Sequence, residues 1–228
     1  MEDFILEHAD FPTDIYTEPA NQDGDTLANL GPLRALAGTW EGQRGVDVKP
    51  KADGPRTQVY VEHYDLQPID PQTNGPQMLY GLRYHTYITK PGLTKMYHDQ
   101  VGYWLWEPAT GSIIHTLAIP RGQTAMACGS ATADATRFEL VATRGTEVYG
   151  ICSNPFIEYA FQTLEYRIKV TVNADGTWSY DSDTVMKIRG RDELFHHTDR
   201  NTLTRIAEPK LNPLAVPLAA ARNAPATA

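Results

Sequence analysis

Two cysteines in 228 residues, Cys128 and Cys152, are too few for a disulfide framework, and their spacing fits no zinc pattern. No apolar run approaches the roughly 20 residues that a membrane-spanning helix needs. The stretch Met1–Glu7 has neither the basic nor the apolar region of a secretory signal. A cytoplasmic protein without a membrane partner is the expectation. Basic charge is scarce too: 20 Lys and Arg stand against 28 Asp and Glu, for a net charge of -8 and a pI near 5.3. Nucleic-acid binding rests on neutralising phosphates with Lys and Arg, so that class of partner is argued against. There is no GxSxG elbow, no GxGxxG or Walker loop, and no HExxH or EF-hand spacing, so no linear motif assigns a reaction.

What the chain does have is β alternation. Strands are predicted over Thr39–Val48, Thr57–Gln67, Gln77–Thr89, Lys95–Trp106, Ser112–Ile119, Gln123–Gly129, Thr136–Thr143, Ile157–Val172, Thr177–Ile188 and Phe195–Ile206. Lys90-Pro-Gly92, Pro108-Ala-Thr-Gly111 and Asn173-Ala-Asp-Gly176 punctuate them as turns. The clearest is Leu164–Val172, where Leu164, Tyr166, Ile168, Val170 and Val172 alternate with polar residues. About ten sequential strands without intervening helices imply an all-β fold, an up-and-down antiparallel barrel, with a sandwich as the alternative.

Before the first strand, Leu27, Leu30, Leu33 and Leu36 recur at helical spacing behind Thr26 as N-cap, and Pro32 divides them into short turns. This short N-terminal helix is expected to cap one mouth of the barrel. Residues 1–25 form an acidic, loosely ordered extension, 26–207 the barrel domain, and 208–228 a Pro/Ala-rich tail with no packed structure expected.

A barrel wider than about eight strands must hold something. The small residues of Thr124–Ala131 fit either an inner wall with room for a ligand or a poorly paired edge. In Gly102–Trp106, Trp104 and Trp106 share a face, as core against the helix or as a stacking surface. Histidine carries the strongest chemical signal. His196 and His197 are adjacent in the last strand, so one faces in and one out. The inward imidazole is either a structural group hydrogen-bonded to backbone or a ligand for haem iron or zinc. Tyr84, His85, His98 and Asp99 offer a further reading, an acid-base cluster with no substrate assigned.

Three pieces together resemble the nitrobindin-like haem-binding β-barrels, whose fold is similar to fatty-acid-binding proteins. They are Leu33–Gly42 with its Gly-Thr-Trp-Glu-Gly, His98–Trp104, and His197–Arg205 ending Leu-Thr-Arg. The resemblance spans residues 30–206. It implies ferric haem b with His197, or the neighbouring His196, ligating the iron, and Thr39, Trp40 and Met126 near the cofactor. It implies nitric-oxide binding and isomerisation of peroxynitrite to nitrate, in a monomer or homodimer. Two departures stand out. Arg44 replaces the last glycine of the opening motif, with Gly45 one position late, which predicts a bulge. The interval from His197 to Arg205 is a residue longer than the family pattern, which leaves His196 and His197 both open, and His197 is favoured because Thr198 and Asp199 follow as its supports. The alternative from another class is a non-catalytic carrier of a fatty acid or other apolar small molecule.

Overall fold

In the computed structural model, which describes residues 11–222, twelve strands form one sheet that closes on itself. The strands are β1 (Gly38–Lys51), β2 (Gly54–Pro68), β3 (Gln72–Asn74), β4 (Gln77–Thr89), β5 (Met96–Glu107), β6 (Ser112–Ile119), β7 (Gln123–Ser130), β8 (Arg137–Arg144), β9 (Gly150–Ser153), β10 (Phe161–Val172), β11 (Trp178–Ile188) and β12 (Phe195–Ala207). They run in the order β2-β1-β12-β11-β10-β8-β9-β7-β6-β5-β4, and a β2–β4 ladder shuts the barrel. Eleven strands make the wall, and β3 is an extra strand on β4. The expected barrel of about ten strands is the fold observed.

Three local features were not expected. β3 and β9 are too short to show alternation, and β9 runs parallel to β8. The strand expected from Ile157 begins at Phe161 instead. A helix, α2 (Pro155–Ala160), precedes it, because the Asn154 side chain accepts from Phe156 N and Ile157 N and Pro155 sits in the first turn. In β10 a register shift at Leu164 buries Thr163, so the inward alternation begins at Tyr166 rather than Leu164.

The barrel's closed end is built from the N-terminal turns. Helix α1 (Thr26–Asn29) is capped by Asp25, which accepts from Ala28 N at 3.2 Å; Thr26 is its first residue and donates to Ile69 O instead of capping. A 3-10 helix, Gly31–Leu36, follows with Pro32 in its first turn, and Leu30, Leu33 and Leu36 are fully buried. Trp40 is buried beneath them and donates from Nε1 to Leu36 O at 2.8 Å. Arg205 lies over the Trp40 ring at 4.6 Å and reaches Ala35 O, tying β12 to the same turns. Trp106 packs against Gly31, where a Cβ would fall 2.5 Å from its ring.

The first ten residues of the acidic extension and the last six of the tail lie outside the described residues. Residues 11–25 carry no regular element, whereas the tail contains α3 (Ala215–Arg222). Buried Asn212 anchors that segment, donating to Gly24 O and Asp70 Oδ1 at 2.7 Å each and accepting from Thr26 N.

Trp40 joins the closing helix to the first strand, so its loss removes both packing and a buried hydrogen bond. Trp40→Ala is expected to cost about 3–5 kcal/mol, read as a lower urea midpoint in equilibrium unfolding. A cost within about 0.5 kcal/mol, the range of ordinary surface changes, would contradict this role.

Candidate functional site

The barrel holds a cavity of about 220 Å³, open at the end opposite the 3-10 helix. Trp104, Trp178, Tyr64, Tyr166 and Ile168 line its depth, and Lys49, Tyr97, His98, Arg121 and His197 its mouth. The walls mix aromatic and aliphatic side chains with carboxylates. Asp47, Glu62 and Asp199 all line the same space.

His197 and His196 take opposite sides, as the pleat requires. His197 lines the cavity, and its Nε2 lies 2.7 Å from Oδ1 of Asp47 on β1, a residue 150 positions earlier. Burial works against the Asp47 carboxylate, yet His197 and Lys49, the latter at 3.1 Å, hold it below the usual carboxylate range. His196 faces out with Nδ1 2.7 Å from Asp183. The expected supports differ: Thr198 points outward, while Asp199 lines the cavity and shares a hydrogen bond with Tyr60.

The other residues named from the sequence fall elsewhere. Trp40 belongs to the closed end and Thr39 donates to Asp65 Oδ1 at 2.7 Å; neither lines the cavity. Met126 sits on the outer face of β7, 38% exposed, between inward Ala125 and Ala127. Those alanines pack into the core and line no cavity wall. The cluster of Tyr84, His85, His98 and Asp99 does not form, because His85 and Asp99 pair on the outer surface at 3.1 Å while Tyr84 and His98 lie within. Trp104 and Trp106 divide the two roles considered for them: Trp106 meets the helix and Trp104 lines the cavity.

His115, Glu62 and Asp47 were missed by sequence reasoning. His115 is 1% exposed and stacks on Trp104 at 3.9 Å between ring centres. Tyr84 OH donates to Thr116 O and accepts from Gln100 at 2.8 Å, so the 2.9 Å contact with His115 Nε2 is a bond donated by the imidazole. His115 is therefore the Nε2–H tautomer, and burial pushes its pKa down to about 3. Glu62 is buried at 2% exposure and accepts from Thr86, Tyr180 and Asn201, each at 2.9 Å; burial still pushes its carboxyl up.

A proton count follows from the chain Asp199–Tyr60–Tyr180–Glu62. It has three links, with the two hydroxyls 2.8 Å apart, but only two phenolic hydrogens. All three are hydrogen bonds only if one carboxyl keeps its proton. Burial, together with the charges of Glu62 and Asp47, pushes Asp199 up to about 8, so the pair retains a proton at neutral pH. The glycines of the opening motif make room for this chain: a Cβ on Gly42 would fall 2.3 Å from Asn201, and one on Gly45 2.1 Å from the Tyr60 ring. Arg44 occupies the bulge between them, where the register of β1 shifts against both neighbours.

With this geometry in view, a family model for the THAP4-like, heme-binding beta-barrel domain matches residues 29–205. The chain belongs to this family. As a heme-binding barrel of this kind it also matches the crystal structure of Rv2717c from M. tuberculosis, with a TM-score of 0.55 and 23% identity over 79% of this chain and 96% of that one. At that identity the likeness bears on the fold. No curated protein matches the chain in sequence.

The family barrel here carries a buried base kept neutral, and that has a measurable consequence. Between about pH 6.5 and 3 the unfolded chain binds a proton at His115 that the folded chain refuses, so this group's contribution to stability falls as pH falls. His115→Phe is expected to flatten the stability-against-pH curve in that window by up to about 1.4 kcal/mol per pH unit, measured by urea unfolding at several pH values. Identical slopes for the two proteins would contradict the assignment.

Proposed function

We propose that the cavity mouth holds haem b, with His197 as the residue that would ligate its iron, and that the protein binds nitric oxide and isomerises peroxynitrite to nitrate. The observation that carries this reading is the pair His197–Asp47 at the mouth, in a chain of the heme-binding barrel family. A ligating histidine is ordinarily held through its other ring nitrogen by a carboxylate, which fixes the ring and raises its basicity. Asp47 engages Nε2, and Nδ1 makes no hydrogen bond among the described residues.

The donor set fits the group at the mouth rather than in the depth. Enclosed space of about 220 Å³ is smaller than the roughly 300–1,000 Å³ of pockets for drug-sized ligands. His197, with a side chain 35% exposed, stands where the cavity opens. Lys49 and Arg121 at the rim match the two carboxylates that haem b carries, and Ile88 adds apolar wall. When bound, the group would supply a ferric Lewis acid for nitric oxide or peroxynitrite, whose rearrangement to nitrate adds and removes no atom. His98 beside it is kept neutral by burial and by Arg121, so it repels no cation and offers no fixed charge.

The carrier reading gains nothing from the cavity volume, since about 220 Å³ is also below what a drug-sized apolar ligand takes. The two readings separate on purified protein. Hemin titration is expected to give a one-to-one Soret band that shifts with nitric oxide. His197→Ala should abolish it and Asp47→Asn should weaken haem affinity by about 10–100-fold. Uptake no greater than a protein-free blank would end the haem reading, and an iron-free organic adduct in native mass spectrometry would favour the carrier.

A further inference from the structure

The cavity mouth differs in charge from the rest of the molecule. It is surrounded by segments 49–56, 89–96, 119–123 and 187–194 and by helix α2. These hold nine of the chain's 20 Lys and Arg but four of its 28 Asp and Glu, a net of +5 in a chain of -8. The neighbouring 144–150 loop adds one of each sign. Lys51, Lys90, Lys95 and Lys187 are exposed and make no ion pair among the described residues.

The same rim exposes large apolar side chains. Phe156 and Tyr159 on α2 are 67% and 59% exposed, Leu93 58%, Met96 52% and Leu194 51%. Single exposed apolar residues need no explanation, but these ring one opening among free cations. The closed end also exposes apolar groups, such as Phe11, Tyr16 and Leu214. There, however, residues 11–29 carry four acids and no Lys or Arg. Charge therefore distinguishes the two ends.

We propose that the mouth rim is a peripheral docking surface for an anionic phospholipid bilayer, with Phe156, Tyr159 and Leu93 entering the headgroup boundary and the lysines meeting lipid phosphate and carboxylate. Reversible attachment of this sort takes two signals, a modest apolar insertion and a basic patch, and this rim supplies both. The sequence argument against a membrane partner concerned spanning segments, and no helix among the described residues is long and apolar enough to cross; neither bears on a peripheral contact. Docked this way, the cavity opens onto the lipid surface. The proposal does not depend on what the cavity holds.

The test is co-sedimentation of the full chain with vesicles of phosphatidylcholine, alone or with phosphatidylserine. Binding is expected to the anionic vesicles only and to fall steeply with added salt. Lys95→Ala with Lys187→Ala should weaken it about 25-fold, from roughly fivefold per basic residue. Phe156→Ser should weaken it without moving the melting temperature. No binding to either vesicle, or equal binding to both by the unsubstituted chain, would overturn the proposal; neither reading involves haem.

Discussion

Closing the sheet sets β1, the first strand, against β12, the last, and the site depends on that seam. Asp47 and His197 are 150 residues apart in sequence and 2.7 Å apart in space only because these two strands are neighbours. The seam is also where register is least regular: β1 pairs with β12 through Glu41, loses register, and resumes at Val46. An extra residue in one strand bends it and re-aims its side chains. Beyond the bulge, Asp47 points inward as Val46 and Val48 turn away, so the irregularity delivers the carboxylate to the cavity.

The bulge also explains the opening motif in physical terms. Gly38 starts β1 with a φ of 126°, a conformation that side chains rarely adopt, and Trp40 locks the strand to the turns before it. Gly42 and Gly45 lie beneath Asn201 and Tyr60, which carry hydrogen bonds toward Glu62 and Asp199. Any larger side chain at either position would displace a member of that network. A buried polar network is tolerable when its groups satisfy one another, and costly when one is removed. The motif therefore serves the interior of the barrel as well as its entrance.

The fold was largely legible from sequence because alternation and turn chemistry are local properties. Gln77–Thr89 and Ser112–Ile119 have the limits that alternation predicts. β9 and α2 were not legible, since four and six residues are too few to establish a period. For the site, pleat geometry required His196 and His197 to face opposite ways, but which faced inward was set by pairing with β1 and β11. Met126 failed as a wall residue for the same reason: the alternation of Ala125, Met126 and Ala127 is visible, while its phase is not. His115 sits in Ile113-Ile114-His115-Thr116, an apolar strand in which nothing local announces a buried base. Glu62 reads as a polar position and becomes an interior one only through Asn201 and Tyr180 from strands far downstream.

Where the cavity can do chemistry follows from which of its groups are already committed. In the depth, Glu62 accepts three bonds, Tyr84 OH makes three contacts, and the Tyr60–Tyr180 pair is fixed between two carboxyls. These groups hold their protons against one another, and burial keeps His115 neutral well below ordinary pH. An incoming ligand at that level would have to break bonds made within the protein. The mouth is different. His197 has one ring nitrogen engaged and one without a hydrogen-bond partner among the described residues, and Asp47 holds the ring from β1 with help from Lys49. Coordination at Nδ1 would leave the Asp47 bond intact, so the cost of organising the ligand is met in folding rather than in binding. Depth and mouth are thus unequal parts of one cavity: the first stabilises the barrel, and the second keeps a valence in reserve.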